Sequence, residues 1–290
     1  MLASASYVSS NRAAYQACFA YRLVSSTEPH HSLDMVRRFG GLDRLYGAAS
    51  ASRMRESHVV VVGLGGVGSW AAEALARSAI ARLTLIDLDH VSESNINRQI
   101  QALDSTIGMS KIEAMVQRVA QINPNCRINA VDEFVSPENW SSLLPADADA
   151  VIDACDQVLA KTAMAQWALD SRALFVAVGA AGGKRMAHLA TMADLSDCTH
   201  DPLLSQLRYR LRKFHGAPRE GKKIGIHCVF SPEPVQSSQA ERVESSDSTL
   251  NCHGYGSTVA VTASFGMCAA GWVMNQLSNR DLARKNKAII

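Results

Sequence analysis

Residues 59–78, VVVVGLGGVGSWAAEALARS, constrain the fold of this chain more than any other stretch. Four β-branched apolar residues read as a buried strand, and the alanine-rich run after the glycines reads as an amphipathic helix. The turn between them is Gly63-Leu64-Gly65-Gly66-Val67-Gly68. Glycines there leave backbone N–H groups unhindered at a helix N-terminus, where hydrogen bonding and the helix dipole both favour phosphate. Asp87 ends the next apolar run, 24 positions after Gly63, a remove that suits a carboxylate binding a ribose hydroxyl pair. Up to this point the pattern serves NAD and ATP equally.

The strand–helix alternation continues along the chain. RLTLID (82–87), RINAVD, DAVIDAC (149–155) and LFVAVG (174–179) read as strands, while SKIEAMVQRVAQIN (110–123) and AKTAMAQWALDS read as helices. Buried strands alternating with helices predict an α/β fold, a Rossmann-like, doubly wound and mostly parallel sheet. Residues 35–183 are expected to form this nucleotide-binding core. Residues 184–290 are expected to add a C-terminal α+β extension: a strand in KRMAHLATMADL, a helix in DPLLSQLRYRLRK and a short strand in HCVFS. Residues 232–251 are polar and read as a mobile loop. The apolar stretch 254–277, GYGSTVAVTASFGMCAAGWVMNQL, is long enough to weigh as a membrane segment; its small residues, Gly266 and Gly271 among them, favour a helix packed tightly on the sheet.

Composition narrows the setting. A chain of 290 residues with 47% hydrophobic content buries one large core, and a net charge of +2 means that a nucleic-acid partner must be met by a local basic patch. Seven cysteines without a CxxC pair suit free thiols in a reducing compartment, the cytoplasm by default, and offer no four-cysteine zinc site. Residues 1–34 are rich in Ala and Ser, carry Arg12 and Arg22 and have no acid before Glu28. That composition fits a disordered extension or an organellar targeting segment.

The residues after Asp87 separate the two nucleotides. DLDHVSESNINRQI supplies Asp89, Asn95, Arg98 and Gln99, and GMSKIEAM adds Lys111 at a helix start. Such groups converging on one crevice suit a triphosphate, whose charge must be neutralised before a nucleophile approaches. VIDACD places Asp153 and Asp156 at the end of another strand, where two acids could hold magnesium beside phosphates. Together these residues favour ATP.

The segments VVVVGLGGVGSWAAEALARSAI, LTLIDLDHVSESNINRQI, GMSKIEAM and VIDACD resemble the adenylation domain of the ThiF, MoeB and ubiquitin-activating superfamily. RRFGGLDRLYG, VGAAGGK, DPLLSQLRYRLRK and CVFSPE further resemble its tRNA threonylcarbamoyladenosine dehydratase branch, from about Arg37 to the final helix. The resemblance implies that Gly63, Gly65, Gly66 and Gly68 wrap the ATP phosphates and that Asp87 takes the ribose. Asp89, Asn95, Arg98, Gln99 and Lys111 would line the nucleotide, with Arg98, Lys111 and Asp156 catalytic and Asp156, with Asp153, directed at magnesium. It implies a homodimer in which Arg44 or Arg38 of one copy reaches the other's ATP, and it leaves a monovalent cation open. Two departures stand out: the usual Asp-Asn pair reads Asp156-Gln157, and the zinc-binding CxxC pairs of the MoeB and ubiquitin-activating branches are missing, which argues against those branches.

The implied reaction is ATP-dependent dehydration of N6-threonylcarbamoyladenosine at position 37 of tRNA to its cyclic hydantoin form, by way of an activated carboxylate. An RNA partner fits RYRLRKFHGAPREGKK, where Arg208, Arg210, Arg212 and Lys213 lead a basic run interleaved with Tyr209 and His215. The branch is also associated with cysteine desulfurase and sulfur-acceptor partners, so Cys228 and Cys252 are weighed as nucleophiles against being buried small side chains. The alternatives are adenylation of the C-terminal Gly-Gly of a sulfur-carrier protein, and an NAD-dependent oxidoreductase or non-catalytic binding module.

Overall fold

The structure, a computed structural model, describes residues 34–219, 221–236 and 255–279. The described residues from Phe39 onward fall in one compact unit, which holds the whole sheet. Helices α1 (Met35–Tyr46) and α2 (Ala48–Glu56) lead into β1 (His58–Val62), followed by α3 (Gly68–Arg77), β2 (Arg82–Ile86), α4 (Lys111–Ile122) and β3 (Arg127–Val131). Next come α5 (Trp140–Leu143), β4 (Ala150–Asp153), α6 (Val158–Ser171) and β5 (Leu174–Val178). The chain continues through β6 (Thr191–Asp194), α7 (Pro202–Phe214), β7 (His227–Phe230) and α8 (Val259–Ser278).

The seven strands form one sheet in the order β3-β2-β1-β4-β5-β7-β6, parallel throughout except for β6 against β7. Side chains alternate across it as period two requires. Val59 and Val61 pack with Leu75 of α3, Met115 of α4 and Phe265 of α8. Val60 and Val62 pack on the other face with Met164 of α6 and with Leu204, Leu207 and Leu211 of α7. Both faces are therefore covered, which is why the central strands are continuous apolar runs.

Residues on both sides of position 183 contribute strands to one sheet. The C-terminal residues add β7 and β6 to the same sheet, because β5 leaves a parallel edge that β7 continues from Val176↔His227 to Val178↔Val229. Within 184–195 the structure has a 3-10 turn at Ala187–Leu189 before β6 rather than one long strand. The expected mobile loop is anchored at its start: Glu233 is buried, and its carboxylate accepts the backbone N–H groups of Arg185 and Met186. Residues 237–251 of that loop, Cys252 and the extension 1–33 lie outside the described residues.

No helix among the described residues is long and apolar enough to cross a membrane. Helix α8 instead packs on α3 so closely that a Cβ on Gly266 would lie 2.4 Å from the Val67 carbonyl oxygen and 2.9 Å from the Ala71 nitrogen. Gly266 thus serves helix packing, whereas a Cβ on Gly271 would meet nothing within 4 Å, and the membrane reading of the segment is set aside.

Candidate nucleotide site

The order β3-β2-β1 on one side and β4-β5 on the other reverses between β1 and β4, and ligands of such sheets bind outside the carboxyl ends of the strands at that reversal. Registers Val62↔Ile86 and Val62↔Asp153 bring three strand ends level. A cleft of about 590 Å³ opens there. Gly63, Gly65, Gly66, Asp87, Asp89, Asn95, Arg98, Gln99, Lys111 and Asp156 all line it. Ten of the residues picked from sequence are brought together, though they span almost a hundred positions.

The glycines divide by role. Gly63 has φ +85° and lies against the β4 loop, its place for a Cβ only 3.0 Å from the Cys155 nitrogen. A Cβ on Gly68 would stand 1.7 Å from the Gly63 carbonyl oxygen, so Gly68 closes the turn into α3 and does not line the cleft. At Gly65 nothing lies within 4 Å of that position, leaving open space where a phosphate would sit. Gln101, which carries no sequence signal of its own, is buried and donates from Nε2 to the Leu64 carbonyl at 2.9 Å, bracing the loop from below.

Asp87 is buried at the end of β2, its carboxylate accepting the Leu64 N–H at 2.5 Å and the Asp89 N–H at 2.8 Å. Burial raises its pKa above the ordinary aspartate value against the opposing pull of Lys111. Lys111 itself is buried at the start of α4 and ion-paired to Asp89 at 2.6 Å, which holds the ammonium at the cleft wall. Arg98 donates to the Ser94 carbonyl at 2.7 Å, and its own carbonyl accepts Trp70 Nε1 of α3 at 3.0 Å. Asn95 caps its 3-10 turn by accepting the Ser92 N–H, and Gln99 accepts from Gln101.

The acids of VIDACD separate. Asp156 is exposed and faces the cleft, whereas Asp153 is fully buried beneath it and paired at 2.7 Å with Lys161, also fully buried. Asp153 is therefore committed to a lysine rather than to a metal. Lys161, hidden in sequence inside a helix pattern, also donates to the carbonyls of Asp153 and Val178, tying the ends of β4 and β5 together. Burial alone would lower the pKa of its ammonium, but the Asp153 carboxylate outweighs that and raises it. No cluster of three or more His, Cys, Asp or Glu suited to a metal occurs among the described residues. Magnesium commonly needs only one or two carboxylates plus substrate phosphates, so Asp156 at the cleft fits an ion that arrives with a nucleotide.

The remaining candidates fall in different places. Cys228 is buried in β7, and burial raises its thiol well above the ordinary cysteine value, in keeping with the reading of it as a buried small side chain. Cys155 lines the cleft but is protonated for the same reason, its thiol donating to Asp153 Oδ1 at 3.1 Å. Arg44 is exposed on α1 and does not line the cleft of its own chain. Arg208 is spent on structure, donating to the carbonyls of Leu195 and Cys198 at 3.0 and 2.7 Å. Two exposed rings that no sequence pattern singles out, Phe134 and Tyr255, stand at the cleft rim.

Comparison with known proteins agrees with this geometry. The family model described as "ThiF family" matches residues 41–289. A protein of Haemophilus influenzae named tRNA threonylcarbamoyladenosine dehydratase is 43% identical over 243 residues, 83% of this chain and 93% of that protein. The Escherichia coli protein of the same name is 39% identical over 250 residues, covering 83% and 93%. The crystal structure of the E. coli enzyme TcdA with AMP superposes with a TM-score of 0.79 at 38% identity, over 86% of this chain and 96% of that one. The same enzyme with ATP gives 0.78.

Proposed function

The chain belongs to the ThiF family, and from that premise we propose that it is an ATP-dependent enzyme that dehydrates N6-threonylcarbamoyladenosine in tRNA to its cyclic form. The observation that carries the reading is the convergence of the glycine loop, Asp87, Arg98, Lys111 and Asp156 on one cleft at the sheet's reversal point. The substrate is supported by the dehydratases to which the chain is 43% and 39% identical over nearly their whole lengths.

The chemistry derives from what a carboxylate lacks. Its carbon is a poor electrophile because expelling oxide is prohibitive, so one carboxylate oxygen first attacks the α-phosphorus of ATP and pyrophosphate leaves. A nitrogen of the same threonylcarbamoyl group then attacks the activated carbonyl. The carbon–oxygen bond to AMP breaks, the nitrogen's proton passes to solvent, and AMP carries off the oxygen, so the nucleoside loses one water overall. Nucleophile and electrophile share one molecule, so ring closure needs orientation more than a separate acceptor.

Arg98 and Lys111 stabilise charge developing on the phosphates, and Asp87 orients the ribose. Lys111 starts out paired with Asp89, so an arriving phosphate takes over an ammonium that is already desolvated and in place. Asp156 would hold the magnesium that accompanies ATP, an ion that supplies charge neutralisation when bound. In this reading the enzyme is a cytoplasmic homodimer, with Arg44 or Arg38 of one copy reaching the nucleotide of the other.

Incubation with ATP, magnesium and tRNA bearing the nucleoside, followed by mass spectrometry of the digest, tests the reading. It expects loss of one water from that nucleoside, abolished in Lys111→Ala. An unchanged nucleoside, with AMP appearing on a carrier protein's C-terminal Gly-Gly, would overturn it in favour of carrier adenylation.

A further inference from the structure

Of the Phe, Tyr and Trp rings among the described residues, only four belong to exposed residues, and they fall in two pairs. Phe134 and Tyr255 stand at the cleft rim, while Tyr209 and Phe214 stand on α7, 57% and 55% exposed. The α7 pair is not isolated. Lys213 Nζ lies 5.3 Å from the Tyr209 ring centre and 5.1 Å from that of Phe214, and donates to the Tyr209 hydroxyl at 2.9 Å. Arg210 sits over Phe214 at 5.3 Å. Tyr209 and Lys213, and Arg210 and Phe214, are i, i+4 pairs; the first pair faces away from the stripe of Leu204, Leu207 and Leu211 that packs on the sheet, and the second flanks its edge, with Arg210 half-buried.

Charge concentrates at the same place. Seven cations against one acid lie between positions 208 and 223, a surplus of six in a chain of net +2, so the rest of the chain is net −4. Two of the seven are taken up internally, Arg208 by backbone carbonyls and Lys223 by Asp197. Arg210 and Lys213 rest on aromatic rings, and Arg212 is turned to the Pro218 carbonyl through Nε alone. Cations interleaved with exposed rings match the chemistry of single-stranded RNA, whose phosphates need positive charge and whose unpaired bases need flat surfaces to stack on. The helix also runs between this face and the site. Pro202 and Leu203 at its start line the cleft, and seven to twelve residues at about 1.5 Å each set the aromatic cluster roughly 10–18 Å away along its axis.

We propose that the outer face of α7, formed by Tyr209, Arg210, Lys213 and Phe214, with Arg212 beside it, is the docking surface for the RNA that delivers its nucleoside to the cleft. The cations take phosphates flanking the reacting nucleotide, and Tyr209 and Phe214 take an unpaired base. The proposal rests on the dehydratase reading for the identity of the RNA, and it assigns α7 a task that the nucleotide site does not need.

The test uses the full chain, tRNA bearing the threonylcarbamoyl nucleoside, and two double variants, Arg210→Ala with Lys213→Ala and Tyr209→Ala with Phe214→Ala, each checked for an unchanged melting temperature. Binding and the KM for tRNA are measured across a salt series, with the KM for ATP alongside. The cation variant is expected to weaken tRNA binding about tenfold and to reduce the slope of log affinity against log salt by about 0.7–0.9 for each phosphate that is no longer neutralised. The aromatic variant is expected to weaken binding about fivefold or more with the slope unchanged. The KM for ATP should stay within about twofold in both, because neither pair touches the nucleotide cleft. Unchanged tRNA affinity in both variants overturns the proposal, as would happen if the face served an acidic protein. If wild type binds tRNA through this face but forms no dehydrated nucleoside, the docking surface stands and the dehydratase reading falls. If wild type dehydrates the nucleoside and both variants bind and turn over tRNA as it does, the docking surface falls and the dehydratase reading stands.

Discussion

Glycines that look alike in the sequence carry different loads. Gly65 faces open space and Gly68 faces a backbone oxygen at 1.7 Å, so one methyl group separates binding from folding. Gly65→Ala should leave the melting temperature unchanged while raising the KM for ATP, because the methyl occupies the phosphate cradle. Gly68→Ala should fail to fold or lose about 3 kcal/mol or more, since the clash is with main chain. Denaturation midpoints read beside ATP kinetics separate the two. Asp87 gives a pH dependence. Burial raises its pKa, so its charge opposes folding at neutral pH and that penalty is relieved as pH falls through the raised value. In the proposed role the ionised form of Asp87 orients the ribose, so the KM for ATP should climb on acidification above the pH at which an ordinary aspartate titrates. Asp87→Asn should flatten that profile and raise the KM about tenfold or more, a charged hydrogen bond having been lost.

At the scale of elements, the strands and helices of the core are legible in sequence because each is a run of one periodicity bounded by Gly, Asp or Ser. Helix α8 is ambiguous there because a mostly apolar stretch of twenty residues can be weighed for a membrane or a core, and the approach of Gly266 to α3 decides between them. The tie between β4 and β5 is not legible. Lys161 lies inside a helix pattern, and nothing local shows that its ammonium meets Asp153 and two carbonyls beneath the site. Lys161→Met leaves the Asp153 carboxylate buried without its cation and should cost about 3–5 kcal/mol in urea denaturation. Adding Asp153→Asn should recover part of that loss; an equal loss in the double variant would mean that the carbonyl contacts, not the ion pair, hold the tie. The basic helix is visible as a charge run, yet Arg208 serves carbonyls while Tyr209 and Phe214 stand outward, a distinction set by helix phase and by the neighbouring turn.

Over the whole molecule, the cleft draws on every strand end near the reversal point, so ligand and fold are linked. ATP bound only by the native state at a hundred times its dissociation constant should add about 2.7 kcal/mol to unfolding stability. A thermal scan with and without nucleotide checks this, and Lys111→Ala should shrink the shift. The position of the cleft is legible because sheet order derives from alternation and short crossovers. The single unit from Phe39 onward is not, since the change of pattern after Gly183 marks only where the sheet adds an antiparallel edge.

Helix α8 comes after every other described element along the chain, yet it backs the glycine loop near the beginning through Gly266 and supplies Thr262 to the cleft wall. The glycine loop and α8 are separated by almost two hundred residues along the chain, so the loop is complete only once the sheet between them has formed. A chain cut before residue 259 would keep every glycine and acid of the cleft and lose the surface that backs them, so ATP affinity is expected to report whether α8 is seated.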